Sequence, residues 1–549
     1  MRYARPRFRQ SLSILLTLMA FPIVSTAETA LEGRIRNRIE SAVVTDSFEV
    51  MEERIHARET MRRVYANRLF APIWVSQEGL SARGEALSRW LSEVPRLHGL
   101  RPADYHLSTI SVLEEADRLA AIVDLELAMS DAFLMVGSHF LAGRLNPETL
   151  DAEWVANRRH RDLTPVIELA ASSDTPGDVL EALLPTDAAY RALVERLAEL
   201  RDRRESGGWP AVSEGATLRE GDSGPRVAEL VRRLHASGDL DRTEGDTIDA
   251  EVGAAIRAFQ SRHGLAADGL VGRATQSSLN VPVQSRIDQV IVNLERWRWL
   301  PEDLGDFHIL VNIAGFRLDV VENGQSIRDM RVVVGRPYRR TPVFSDAISY
   351  IVLNPYWEVP IRIAIQDKLP LIKSDPGYLA QQGYTLLQGW GDQEEIIDPA
   401  SVDWSAVTAR NFSYRLRQSP GPLNALGRLK FMFPNKFSVY LHDTPARELF
   451  AQDALAFSSG CIRLEAPLDL AEILLRDQGN WSREAIDRAI ASGREETIRL
   501  PTRVPVHLLY WTAWISSDDG ALNFRDDIYS RDAPVLAELR EAPPSRRDE

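Results

Sequence analysis

Cysteine is almost absent from this chain of 549 residues: Cys461 stands alone, so no internal disulfide can form and any thiol chemistry rests on one side chain. Histidine is sparse as well, and the 10 present are scattered. None belongs to a His-Glu-x-x-His pattern or a chelating cluster with carboxylates, so a zinc peptidase is disfavoured and neither metal nor cofactor is expected. Positive charge is in deficit, with 65 Lys and Arg against 79 Asp and Glu and a net charge of -14. That balance argues against nucleic acid or an anionic lipid surface as partner. Long apolar runs are missing after the N-terminal segment, so no membrane span is expected in the rest of the chain.

The one apolar run, Leu12 to Val24, follows Arg2, Arg5, Arg7 and Arg9 and precedes Ser25-Thr26-Ala27. It is short for a membrane span and ends in small residues, which predicts a signal peptide over 1–27 cut after Ala27. The alternative is a retained signal anchor. Either way the remaining chain works in an exported compartment. An apolar content of 44% with 26% charged residues describes globular material, and the length demands several domains.

From 28 to 204 the apolar spacing is helical, as in Phe133-Leu134-Met135-Val136, and no cluster of reactive groups appears, which predicts an all-helical scaffold. Glu205-Ser206-Gly207-Gly208-Trp209-Pro210 reads as a linker. A compact unit follows over 215–282. Val227, Leu230, Val231 and Leu234 share one helix face; Asp249 caps a second helix bearing Val252, Ile256 and Phe259; and glycine turns at Gly264, Gly269 and Gly272 lead to a third. A linker helix is expected over 283–304. After it the period becomes two: Phe307, Ile309, Val311 and Ile313 alternate, then Phe316, Leu318 and Val320, before an Asn323-Gly324 turn. Further strands are expected at Met330–Val334, Tyr350–Leu353, Ser438–Leu441 and Val506–Ile515, with a terminal hairpin around Asp519-Gly520. A polar segment, 366–424, interrupts them, and 533–549 reads as a loose tail. The fold class is multidomain α+β, with a mainly-β domain at 305–532.

A thiol attacks only as thiolate, so a working cysteine needs a base nearby. His442, at the end of an apolar strand, is the natural base. Cys461 lies in Ser458-Ser459-Gly460-Cys461-Ile462-Arg463 ahead of an apolar run, Leu464 to Leu475, so the two are expected to converge at one sheet edge. The N–H groups of Gly460 and Cys461, near the expected helix start, are candidates to bind an oxyanion. A lone cysteine or histidine is more often structural.

The 215–282 unit resembles the three-helix peptidoglycan-binding domain through Leu218-x-x-Gly221-x-x-Gly224, Phe259-Gln260 and Asp268-Gly269-x-Val271-Gly272. His442 with Ser459-Gly460-Cys461-Ile462-Arg463 resembles the active-site signature of the L,D-transpeptidases. Val334-Gly335-Arg336-Pro337, Thr341-Pro342, Asn354-Pro355-Tyr356-Trp357, Gly421-Pro422-Leu423-Asn424 and Phe433-Pro434-Asn435 fit the same family. Many members carry histidine before the Gly-Cys pair; here it is Ser459, as in the large multidomain periplasmic branch that the domain order also resembles.

The resemblance implies acyl transfer on peptidoglycan stem peptides. Cys461 would be the nucleophile and His442 the proton acceptor and donor; Ser459 would orient the site, Tyr440 would contribute to the oxyanion site and Arg463 would hold the loop or a substrate carboxylate. It also implies a periplasmic location, 3-3 crosslinks formed through a thioester with release of D-alanine, and acylation by carbapenems. The 366–424 segment becomes a candidate lid. Expected partners are stem peptides, glycan strands and other cell-wall enzymes. Two alternatives stay open on the residues alone: a thiol L,D-carboxypeptidase or endopeptidase using water as acceptor, and a wall-binding scaffold with an idle thiol.

Overall fold

The computed structural model describes residues 29–45, 48–116, 118–155, 158–375 and 377–542. The leader expected at 1–27 and the end of the tail lie outside the described residues. Among the described residues no helix is long and apolar enough to cross a membrane.

From Ala30 to Glu205 the chain is mainly helical, as its periodicity predicts. Helix α1 (Leu119–Ala142) is buried along nearly its whole length, which is what an all-round apolar helix wrapped by others should be. Its buried acids are satisfied by backbone donors: Glu126 accepts from the N–H groups of Ile73, Trp74 and Val75, and Asp131 from those of His56 and Ala57. Helix α2 (Ala188–Glu205) ends this domain.

The small unit is three helices, α3 (Pro225–Ala236), α4 (Ala250–Arg262) and α5 (Arg273–Leu279), around a core of its own. Asp249 caps α4 as expected, accepting from Val252 N–H at 3.0 Å. The unit docks on the mainly-β domain: Arg262 donates to Leu522 O at 3.1 Å and His263 stacks on Phe524.

Helix α6 (Val283–Arg298) forms within the linker helix expected over 283–304 and ends earlier. It is a buried spine, because its charged residues are paired inside the protein: Arg298 meets Glu295 at 2.7 Å with both side chains fully covered, and Asn293 donates to Thr512 Oγ1 at 2.9 Å. Breaking such a buried pair leaves an uncompensated charge, at a cost of about 3–5 kcal/mol.

The domain after α6 is built on a nine-stranded sheet. Its strands are β1 (Phe307–Asn312), β2 (Arg317–Glu322), β3 (Gln325–Gly335), β4 (Phe344–Leu353), β5 (Leu429–Met432), β6 (Leu441–His442), β7 (Ala456–Ser458), β8 (Ile462–Leu464) and β9 (Glu496–Leu509). The order β7-β3-β8-β6-β5-β4-β9-β1-β2 returns on itself, since β2 also pairs with β3. Closure removes the free edges that an open sheet would expose. The expected strand at Ser438–Leu441 starts later, because Ser438 takes a positive φ of 56°.

Between β4 and β5 the chain leaves the sheet. The expected insertion is a subdomain with its own core around Trp357, Leu386, Trp404 and Leu416, and with its own four-stranded sheet. It begins before 366, as Trp357–Glu358 is one of its strands.

The tail beginning at 533 is not loose where it is described. Helix α7 (Asp532–Arg540) buries Val535 and Leu539, four residues apart on one face, and Asp532 pairs with the buried Arg296 at 2.6 Å. Pro534 misled the sequence reading, yet proline is tolerated in a first helical turn.

The helical domain is stitched to the sheet. Trp154 forms a parallel bridge with Val343, through Val155 N–H to Val343 O at 2.8 Å and Val343 N–H to Glu153 O at 2.9 Å. Arg531 and Arg340 both pair with Asp151 and Glu153 at that seam.

Candidate active site

Strand alternation builds the site. Tyr440, just before β6, and His442 within it fall on the same face because side chains two apart in extended backbone do so. The parallel register sets Leu441 beside Ile462 and His442 beside Arg463, which brings Cys461, just before β8, alongside Tyr440. On the other flank the antiparallel register sets Lys430 of β5 across from His442. Five side chains therefore share one face: Cys461, Tyr440, His442, Lys430 and Arg463. The sequence reading named the cysteine and the histidine, which the register sets on one sheet face, but it missed Lys430, whose only signal was its place in the alternating run Leu429-Lys430-Phe431.

The thiol is partly exposed. Its Sγ lies 3.9 Å from Ser438 O and also meets the hydroxyl and the backbone N–H of Tyr440. Burial pushes the thiol pKa up, while Tyr440 N–H, Lys430, the Tyr440 hydroxyl and Arg463 all pull it down. His442 is buried, and burial followed by the field of Arg463 lowers its pKa to about 3; the Asp443 and Leu426 carbonyls and Lys430 make smaller contributions, only the carbonyls favouring the proton. The resting pair is thus a neutral thiol and a neutral imidazole. Nδ1 of His442 lies 2.5 Å from Asp443 O. A proton on Nδ1 donated to that carbonyl leaves a lone pair on Nε2.

Lys430 holds its ammonium 4.0 Å from the centre of the Tyr440 ring, a cation–π distance. Arg463 has no ion pair among the described residues, and its buried Nε has no hydrogen-bond partner. The expected loop-holding ion pair is therefore not what it makes.

The nucleophile turn differs from expectation in two ways. Cys461 does not stand at a helix start: β8 follows it, and the helix of the apolar run begins only at Pro467. Gly460 does not offer its N–H to an oxyanion either, since that N–H is spent on Ser458 Oγ at 3.0 Å. Ser458 in turn donates to Cys461 O at 2.5 Å, so Ser458 is the serine that shapes the turn. Cys461 N–H has no acceptor among the described residues. Gly460 is needed for its backbone, with φ at +118°. Ser459 faces outward and accepts from Arg339 at 2.9 Å. Arg339 also pairs with Asp367 at 2.5 Å and so ties the turn to the insertion.

Thr341 supports the turn from behind. Its hydroxyl donates to Gly460 O and accepts from Gly335 N–H, both at 2.9 Å, and Tyr529 bridges Thr341 N–H and Gly335 O. This gives the Val334-Gly335-Arg336-Pro337 and Thr341-Pro342 segments a physical role.

Residues 306–498 match the L,D-transpeptidase catalytic domain family. That segment is similar to an L,D-transpeptidase catalytic domain. The L,D-transpeptidase match contains every site residue named above from Thr341 to Arg463. Ahead of it, residues 223–279 match the family described as "Putative peptidoglycan binding domain", and residues 59–197 match a scaffold domain. A Haemophilus influenzae protein named "Putative L,D-transpeptidase" is 40% identical over 260 residues, covering 47% of this chain and 51% of that protein. The Mycobacterium tuberculosis N-acetylmuramoyl-L-alanine amidase CwlM is 39% identical over 80 residues, or 13% of this chain and 20% of its own length. The chain thus spans about half, or less, of the curated relatives it matches. Among solved structures, L,D-transpeptidases from Xylanimonas cellulosilytica (15% identity, 54% of this chain and 98% of that one, TM-score 0.18) and Stackebrandtia nassauensis (16%, 55% and 96%, TM-score 0.22) are similar only loosely, and no argument rests on them.

Proposed function

We propose that this protein forms 3-3 crosslinks in peptidoglycan through a thioester on Cys461. The observation that carries the reading is the single cysteine, beside Tyr440 and on the same sheet face as His442, inside the segment that matches the transpeptidase family. In the first half-reaction His442 takes the thiol proton as Sγ attacks the carbonyl of the third residue of a donor tetrapeptide. The C–N bond to the terminal D-alanine breaks, and the leaving amine departs with the proton held by His442. In the second half, an amine from another stem attacks the thioester, its proton passes to His442 and then to the released thiol. Cys461 N–H and the Tyr440 hydroxyl would hold the oxyanion in both steps.

Because the resting pair is neutral, proton transfer must accompany attack. Lys430 and Arg463 favour the thiolate but disfavour the imidazolium, so they ease the step only once charge has developed on sulfur or on the oxyanion. Two domains that match cell-wall families support an extracytoplasmic location, and we assign it to the periplasm with 1–27 as a leader.

The test is incubation of the mature protein and its Cys461→Ala variant with disaccharide-tetrapeptide, followed by mass analysis of protein and products. Crosslinked dimers with loss of D-alanine, dependent on Cys461, support transfer. Tripeptide monomers alone would replace transfer with hydrolysis, and turnover that survives Cys461→Ala would remove the thiol from the chemistry.

A further inference from the structure

Remote from Cys461, a cavity of about 360 Å³ opens where three parts of the molecule meet: Arg203 comes from α2, Arg233, Phe259 and Arg262 from the three-helix unit, and Phe524 from the terminal hairpin, with Trp209 of the linker beside them. That volume is in the ~300–1,000 Å³ range of small-ligand sites.

Arg233 is the unusual member. It is 2% exposed, yet no carboxylate lies within ion-pair distance among the described residues. Its Nε donates to Leu279 O at 2.7 Å, its buried Nη1 has no acceptor, and its guanidinium lies 4.3 Å from the centre of the Trp209 ring. The nearest candidate counter-ion, Asp239, is committed to Arg262 at 2.6 Å. Burial lowers the Arg233 pKa to about 9, which still leaves the charge in place at neutral pH. A buried charge is normally paired, and here the unpaired Arg233 is part of the lining of a cavity with aromatic walls. Arg203 is exposed at the same cavity and has no ion pair among the described residues.

We propose that this inter-domain cavity binds a carboxylate of the peptidoglycan stem peptide, with Arg233 and Arg203 as cationic contacts and Trp209 and Phe524 as walls for the attached organic body. The proposal rests on peptidoglycan being the substrate and adds a second place where it is held. Since Arg262 and His263 already dock the three-helix unit on the hairpin, a ligand here would brace the wall-binding unit against the catalytic domain.

The experiment uses the full-length Cys461→Ala protein, so that nothing is turned over. Binding of disaccharide-tripeptide is measured by calorimetry, and hydrogen exchange is followed across 196–209, 233–239 and 521–524. The expected result is slowed exchange in those segments, with Arg233→Met weakening that binding by about tenfold or more and Arg203→Ala by less. Protection that is unchanged in both variants, or equal with a probe whose carboxylates are amidated, overturns the proposal. So does inorganic phosphate binding as tightly as the carboxylate probe, which would make this a general anion site. If Arg233→Met fails to fold, Arg203→Ala and the amidated probe still decide. Crosslinking by the wild type without this protection sinks the site alone; protection without Cys461-dependent crosslinking sinks the activity alone.

Discussion

Lys430 stands across from His442 in the antiparallel register, with its ammonium over the Tyr440 ring and no ion pair among the described residues. An unpaired cation beside a nucleophile should act on its charge. Replacing it with methionine is expected to slow alkylation of Cys461 at pH 7 by roughly tenfold and to move the alkylation pH profile upward by about one unit. Lys430→Arg should restore most of the rate, which a purely steric role would not predict. An unchanged alkylation profile in Lys430→Met would remove it from the site's electrostatics.

The two serines before Gly460 should separate sharply. Ser458 bonds both Gly460 N–H and Cys461 O, whereas Ser459 meets only Arg339. Ser458→Ala is expected to lower turnover by about tenfold to a hundredfold through a misplaced nucleophile, and Ser459→Ala by about threefold or less. Steady-state rates with disaccharide-tetrapeptide check both, and the reverse order would refute the assignment of the turn to Ser458.

Gly335 has no room for a side chain. A Cβ there would lie 2.1 Å from Arg339 O. Gly335→Ala should therefore displace the 335–341 loop, loosen Thr341 behind Gly460, and destabilise the domain by about 1–3 kcal/mol. Thermal unfolding measures the destabilisation, and alkylation of Cys461 reports the loosened loop.

Stability should fall on acidification from a specific set of histidines. Burial lowers His442, His98 and His139 to about 3 and His507 to about 4. Each stays neutral in the fold but takes a proton near 6.5 when unfolded. Unfolding therefore takes up protons below 6.5, and the stability these groups preserve is lost as pH falls from 6.5 toward 3. His106 has the opposite sign. Burial opposes its charge, but the stronger sum of Asp131 and Glu53 raises it to about 9. Its contribution is full below 6.5 and disappears as pH rises through 9. Denaturant unfolding across pH should show both limbs, and His106→Gln should flatten the alkaline one.

Most of the domain order was legible in the sequence because periodicity and turn residues are local. The switch from helical to alternating spacing at Phe307 and the cap at Asp249 are of this kind. That Cys461 and His442 share a sheet face was signalled only by the motif, since it depends on a parallel register between strands β6 and β8. What remained hidden is non-local. Lys430 becomes part of the site through its register with His442, and Ser458 outranks Ser459 because of which way each points around a turn. Helix α7 was missed because its two anchors, Val535 and Leu539, are too few to outweigh a polar, proline-bearing context.

The seam at Trp154 and Val343 has a practical consequence. Thr341, which holds the Gly460 carbonyl, is two residues from Val343, and Arg531 touches both Thr341 O and the acids of the seam. Excising 305–532 as a recombinant fragment would leave Arg340 and Arg531 without Asp151 and Glu153 and would strip the cover from β4 just behind the nucleophile. A kinetic constant measured on that fragment would describe a slackened enzyme, so what reads as a string of interchangeable parts in the gene works as one machine in the protein.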